Sequence, residues 1–424
     1  MTTQSPAAEA PAERGQFSAD VREHTAASAI QDYLVKIRSG DLGALPAVLG
    51  LVALFILFSA LRPETFPSPL NMANLLLQAM SITLLALGLV FVLLIGEIDL
   101  SAGVASGASA AVMATALADA GLPWFAAAAG AILTGVVIGA AIGAMVVLVG
   151  IPSFVVSLAF FLGLQGITLW LIGQGGSIPV RDEVISAVAN ENLPLAAGWV
   201  LCALCVLAYA GAVLYGWSRK RAGGLARDPL PVVIGKAVAV GLLIIGATAL
   251  LSVDRAPSPT VFLGGVPVGV PVVLAFLLAA GFVLTRTRFG RHIYAVGGNA
   301  EAARRAGINV ARVRFTMFVI CSGLAAVSGI VAAARIGSVA PDAGGGNTLL
   351  YAVGAAVIGG VSLFGGRGRV VAALLGGLVI SVIANGLGLI GLPAFANFLI
   401  TGGVLLVAAS VDALARRRRQ AAGR

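Results

Sequence analysis

Twelve apolar stretches, each long enough or nearly long enough to cross a bilayer, follow one another along this chain. They cover approximately 45–61, 74–95, 103–118, 124–149, 153–173, 195–216, 230–252, 265–285, 315–334, 349–363, 370–389 and 395–411. A spanning helix needs about 20 apolar residues to match the hydrocarbon thickness. Hydrophobic residues make up 59% of the 424, and charged ones only 11%, against about 25% charged in an ordinary soluble domain. One water-surrounded core cannot bury that much apolar surface, whereas a bilayer is itself the apolar solvent. The 55 glycines fit the same reading, since glycine lets membrane helices approach closely. We therefore read an all-α polytopic membrane protein with about 12 transmembrane helices. Two stretches, 103–118 and 349–363, are short. Short or glycine-broken segments can line a transport path, where irregular backbone faces a cavity instead of lipid.

Lys and Arg set the orientation, because basic residues accumulate on the cytoplasmic side. With twelve spans, the connections 217–229, 286–314 and 364–369 and the C-terminal tail fall on one side and hold eighteen basic residues. The opposite connections hold only Arg62, Arg181, Arg255 and Arg335. Both termini are thus expected in the cytoplasm. Lys236, seven residues into a span, reads as a lysine snorkelling to the cytoplasmic edge.

Three parts are expected. Residues 1–44 form a cytoplasmic tail, Ala/Pro-rich at first, in which Ile30, Tyr33, Leu34 and Ile37 share one helix face. This amphipathic helix reads as an interfacial anchor or a partner contact. Residues 45–412 form the transmembrane domain, and 413–424 a basic cytoplasmic tail.

Signs of enzymatic chemistry are nearly absent. No GxxxxGK[ST] phosphate loop occurs, and two histidines, His24 in the tail and His292 in a loop, supply neither a catalytic triad nor a metal site. Cys202, Cys205 and Cys321 lie in apolar runs and read as small buried hydrophobes. No cofactor, metal or nucleic-acid partner is expected. Intramembrane ionisable groups, which a proton- or ion-coupled carrier needs, are limited to Glu97, Asp99 and Lys236, all near span ends. Energy then comes from elsewhere, or transport is passive.

Three stretches stand out. In the connection 286–314, Asn299 is a suitable N-cap. Ala300, Glu301, Ala302, Ala303, Arg304, Arg305 and Ala306 favour a helix, with the acid early and the bases late as the helix dipole prefers. Gly307 is a stop signal, and Gly297-Gly298 reads as a flexible entry to the loop helix. An ordinary basic loop is the alternative. The second stretch is GEIDLSAG at 96–103, where Asp99 or Ser101 either caps the third span or contacts substrate. The third, GGVSLFGGRGR at 359–369, is a glycine-paved turn that serves close helix packing on its plainest reading.

These stretches together, GEIDLSAG (96–103), TRFGRHIYAVGGNAEAARRAGI (287–308) and GGVSLFGGRGR (359–369), followed by a segment opening at Asn385, resemble the permease subunits of bacterial sugar ABC importers, the group that includes the ribose and xylose permeases. The resemblance covers roughly 45–412. The family typically reads GGIDLS, so Glu97 departs from its pattern. The extra pair of spans near 195–252, with the preceding SIPVRDEV loop, makes the chain most like the xylose-type permeases. Several things are implied by the resemblance: a bacterial inner-membrane location, a second copy of the chain, a cytoplasmic ABC ATPase and an extracytoplasmic sugar-binding protein. It further implies that the loop helix, with Gly297, Gly298, Asn299, Glu301, Ala302, Ala303, Arg304 and Gly307, is the element that docks into the ATPase. A permease for another small solute, such as branched-chain amino acids, and an ATP-independent carrier are the alternatives.

A sugar path must offer polar groups, because hydroxyls stripped of water without partners cost several kcal/mol each, roughly. Candidates are Gln78, Ser81, Asp99, Ser101, Ser157, Gln165 and Asn385. Gln78 and Ser81 share a helix face. Each has the same alternative, a hydrogen bond between helices.

Overall fold

A computed structural model describes residues 43–223, 229–256, 262–393, 395–396, 398–404, 406–407, 410 and 413. The expected amphipathic helix near residues 30–40 and the tail from 414 onward lie outside the described residues.

The chain is almost wholly helical. Its elements are α1 (Leu45–Leu61), α2 (Pro69–Leu94), α3 (Ala102–Ala118), α4 (Trp124–Ala144), α5 (Ser153–Ile172), α6 (Glu183–Asn190), α7 (Leu195–Ala222), α8 (Leu230–Ser252), α9 (Gly269–Arg286), α10 (Arg288–Gly298), α11 (Ala300–Arg305), α12 (Val310–Ile336), α13 (Thr348–Ile358) and α14 (Val371–Ile390). A five-residue π-turn, Met145–Val149, extends α4. Among the described residues eight helices are long and apolar enough to cross a membrane, and α1, α3 and α13 are shorter apolar helices. The described positions from 395 to 413 are helical too. Two-residue strands β1 (Ile178–Pro179) and β2 (Ser338–Val339) pair antiparallel, and Asn192 and Pro267 form an isolated antiparallel bridge; these are the departures from an all-α reading among the described residues.

Helices α2 and α12 form the centre: 72% of the most apolar window of each is buried, against 11% for α7 and α8. The latter two pack on each other at the periphery and present Leu204, Leu207, Leu242 and Leu243 outward, as lipid-facing helices do. Lipid supplies no hydrophobic pull between helices, so association depends on close contact. On α4, Gly135, Gly139 and Gly143 recur every fourth residue and lie against the α12 backbone, where a Cβ at the first two would strike the Ser322 and Phe318 carbonyls. α2 starts at a Ser68 cap accepting from the Asn71 N–H at 3.3 Å, with Pro69 in its first turn.

The stretch expected to span as 349–363 is broken. After α12 ends at Gly337, the chain runs through β2 and a series of turns to Gly346 before α13 begins. Eleven residues rise only about 16 Å at 1.5 Å each, too little for a hydrocarbon core of about 30 Å. The irregular segment is held against α3. Gly344 has a positive φ of 71° and rests on the Gly103 carbonyl and the Gly107 N–H, while a Cβ on Gly107 would run into the Ala343 carbonyl. One side of the run is covered by α3, while Asp342 and Gly346 are exposed; non-helical backbone within a membrane protein is tolerated where protein or a water-filled cavity, not lipid, meets it.

The close α4–α12 contact sets a prediction. G139V should lower the unfolding midpoint of the purified protein in detergent, at a cost of about 1–3 kcal/mol for overpacking. G130A, on the same helix but with nothing within 4 Å of its added Cβ, should be neutral or stabilise by up to about 1 kcal/mol.

Candidate functional site

The three stretches that stand out in the sequence meet at one place. The turn after α2 (Ile95–Ser101), the last turn of α10 and the glycine loop after α13 pack into a knot at the base of α2. The Gly366 N–H donates to the Leu94 carbonyl at 2.8 Å. Gly297 lies so close that a Cβ would strike that same carbonyl, and Gly365 lies against the Gly297 carbonyl and the Gly96 N–H. Gly365 and Gly366 have φ of 83° and 71°, a conformation open to glycine and strained for other residues. From α10, the Tyr294 hydroxyl donates to the Gly368 carbonyl at 2.8 Å. Burial pushes the Tyr294 phenol above its usual range, with Arg369 opposing, so it remains a donor. On the other flank Ser153 and Ser157 of α5 reach the Ile98 N–H and carbonyl, each at 3.5 Å.

This corrects the reading of Gly297-Gly298 as a flexible entry. Both belong to α10, an eleven-residue helix opened by a Thr287 cap that accepts from the Gly290 N–H at 3.1 Å. Their smallness permits contact at Gly297; it does not loosen the chain. Beyond them the Asn299 side chain caps α11, accepting from the Ala302 N–H at 2.9 Å. Glu301 pairs with Arg304 at 2.9 Å and Arg305 at 3.2 Å, Ala303 is buried, and Ala302 is exposed. Gly307, with φ of 82°, ends the helix. Asn309 then caps α12, accepting from the Arg312 N–H at 2.8 Å. So α11 is a capped, exposed helix fixed at both ends.

Farther along α2 and α12 lies a cavity of about 220 Å³, smaller than the roughly 300–1,000 Å³ typical of pockets for drug-sized ligands. Ser81 of α2, Ser106 of α3, Ser328 and Arg335 of α12, and Ser338, Thr348 and Tyr351 of the broken segment contribute its polar lining. Ser328 donates to the Ser81 carbonyl at 2.7 Å and Ser106 to the Gly103 carbonyl at 2.6 Å. The Ser81, Ser338, Thr348 and Tyr351 hydroxyls make no such bond among the described residues. Among the described residues no carboxylate lines the cavity.

The sequence-predicted path residues divide. Ser81 lines this cavity; Gln78 does not. Gln165 lies beside the broken segment, its Nε2 3.6 Å from where a Gly345 Cβ would stand. Asn385 is committed elsewhere: its amide and that of Asn71 exchange two hydrogen bonds of 2.9 Å, joining α14 to α2. Asp99 and Ser101 form a local turn, with Asp99 Oδ1 accepting from the Ser101 N–H at 2.9 Å and its hydroxyl at 2.6 Å. Neither side chain caps α3, whose start carries no side-chain cap. Asp99 Oδ2 is buried without a hydrogen-bond partner among the described residues.

A family model described as "Branched-chain amino acid transport system / permease component" matches residues 71–409. The chain belongs to this permease family. It is 33% identical over 382 residues to the xylose transport system permease protein XylH of Escherichia coli (strain K12), covering 90% of this chain and 94% of that one. Against the Haemophilus influenzae protein of the same description it is 32% identical, over 89% and 98%. The ribose import permease protein RbsC of Escherichia coli (strain K12) is 30% identical, over 86% and 92%. No solved structure matches the chain significantly.

Reasoning from the sequence missed Arg335, Ser106, Ser328, Ser338, Thr348 and Tyr351 as residues of one cavity in this permease. Arg335 is visible in the sequence as a lone base at the end of an apolar run, a place that orientation alone also explains.

A pair of neighbouring glycines separates close packing from flexibility in the knot. G297A places a methyl group against the Leu94 carbonyl and should expose the 287–309 segment of the permease to limited proteolysis, with a lower unfolding midpoint. G298A, whose Cβ meets nothing within 4 Å, should leave both measurements as in the wild type.

Proposed function

We propose that this chain is the membrane-spanning permease subunit of an ATP-binding-cassette importer for a monosaccharide, a pentose such as xylose. The observation that carries the reading is mechanical. A capped loop helix, α11, is seated through α10 and a glycine knot on the base of α2 and joined directly to α12, and those two helices wall a small polar cavity farther along. A push on α11 therefore has a rigid route to the cavity. The xylose, ribose and allose permeases among its relatives support sugar as the cargo.

In this reading α11 docks into a cytoplasmic ABC ATPase, which performs the hydrolysis; the permease itself is no enzyme. An extracytoplasmic binding protein delivers the sugar to the cavity end, and a second copy of the chain completes the path. The chain crosses the bacterial inner membrane twelve times with both termini in the cytoplasm, α13 and its preceding segment together making one crossing. The parity of twelve spans and the placement of eighteen basic residues on one side support this orientation. Hydroxyls and a guanidinium suit a polyol, which needs donors and acceptors but no countercharge. Ser81 is the path residue for which the geometry offers most support; Gln165 stands near the same segment. Asn385, Asp99 and Ser101 are better accounted for as struts of the bundle.

The family's printed description keeps branched-chain amino acids as a second reading. Uptake of labelled xylose, ribose, glucose and leucine, in a strain lacking the native importer and carrying this chain with its partner genes, decides between them. Pentose uptake that disappears with the ATPase gene is the expected result. Uptake of leucine alone, or sugar uptake without the ATPase, sinks the proposal. S81A should slow sugar uptake by about fivefold, the worth of a hydrogen bond of about 1 kcal/mol, with unchanged protein in the membrane.

A further inference from the structure

Two charged side chains bridge the knot without taking part in its backbone contacts. Glu97 lies in the turn after α2, its N–H donating to the Val92 carbonyl at 3.2 Å. Arg314 lies in the second turn of α12, just beyond the loop helix. Arg314 Nε stands 3.1 Å from Glu97 Oε1, with the Glu97 side chain 14% exposed and that of Arg314 36% exposed. The guanidinium Nε–H is not aligned on the carboxylate, because Nε is buried without a proper hydrogen bond. The attraction is therefore one of charge at short range. Partial burial screens it less than a surface pair. Charge attraction also tolerates a change of angle that would break a hydrogen bond.

The pair joins the same two helices that wall the cavity. Near the cavity they are tied by Ser328 donating to the Ser81 carbonyl at 2.7 Å; at the base they are tied by Glu97 and Arg314. We propose that Glu97 and Arg314 are positioning residues: their charge pair locks α2 to α12 at the base and carries movement of the loop helix to the cavity walls. This rests on the importer reading above.

The test uses the full complex, with ATPase and binding protein, reconstituted in liposomes. E97Q and R314Q should each lower sugar uptake, and the stimulation of ATP hydrolysis by loaded binding protein, by about five- to tenfold, the low end of coupling between sites. Basal hydrolysis and unfolding midpoint should stay as in the wild type. The double variant E97Q/R314Q should be no worse than either single one, and the swap E97R/R314E should recover much of the loss. E97D, which keeps the charge, should remain near wild type and serves if E97Q fails to fold. Neutral variants that transport like the wild type, or a swap as poor as the single variants, overturn the proposal. A wild-type complex that moves no sugar overturns the importer reading instead.

Discussion

Everything in this molecule depends on backbone meeting backbone. In lipid the hydrophobic effect does not press one helix onto another, so affinity comes from close packing and from polar groups that find each other. The chain meets this condition by removing side chains where helices cross. The α4 glycines at 135, 139 and 143 lie against α12. Gly376 of α14 lies so close to the Ala355 carbonyl of α13 that a methyl group would not fit, and Gly329 of α12 stands in the same relation to Ser106 of α3. The polar contribution is small but well placed, as in the Asn71–Asn385 amide pair between α2 and α14.

The same rule bears on the irregular run between α12 and α13. Unpaired backbone groups facing hydrocarbon cost several kcal/mol each, roughly, and α3 covers one side of the segment between Gly337 and Thr348 at Gly103 and Gly107. β1 covers its outer part, with Ile178 opposite Val339 and Pro179 opposite Ser338, and the Val180 N–H donates to the Gly337 carbonyl at 2.9 Å. The break leaves a gap between α2, α12 and α13, and that gap is the cavity. The polar lining and the broken helix are thus two aspects of one feature.

The helices were legible in the sequence because hydropathy reports directly on lipid: the expected stretches 124–149 and 230–252 coincide with α4 plus its π-turn and with α8. The loop helix was legible because its cap, charge order and stop are local. Long-range facts were not. Residues 338–346 look like an ordinary connection, since small residues and glycine serve a free turn as well as one packed on a helix. The helix α10 was hidden by its arginines, which orientation alone explains. A polar residue within an apolar helix does not say what it bonds to. Ser81 and Asn385 therefore read alike in sequence, while one faces a cavity and the other an amide.

The peripheral pair α7 and α8 meets the rest of the chain at its end away from the loop helix. There Leu251 and Val266 close on Ala73, and buried Arg255 donates to the Leu251 and Gly265 carbonyls and to Asn192. The main chain on either side is stitched together across the pair's base, by Leu193 N–H to the Val266 carbonyl at 2.8 Å and Val268 N–H to the Glu191 carbonyl at 3.0 Å. Chain entry and exit stand side by side, as they do where a domain has been inserted into a surface loop. A hairpin attached in this way is a cassette in the evolutionary sense: a lineage that gains or loses it rewrites the seam with α2 at Ala73 and leaves the α2–α12 contacts in place.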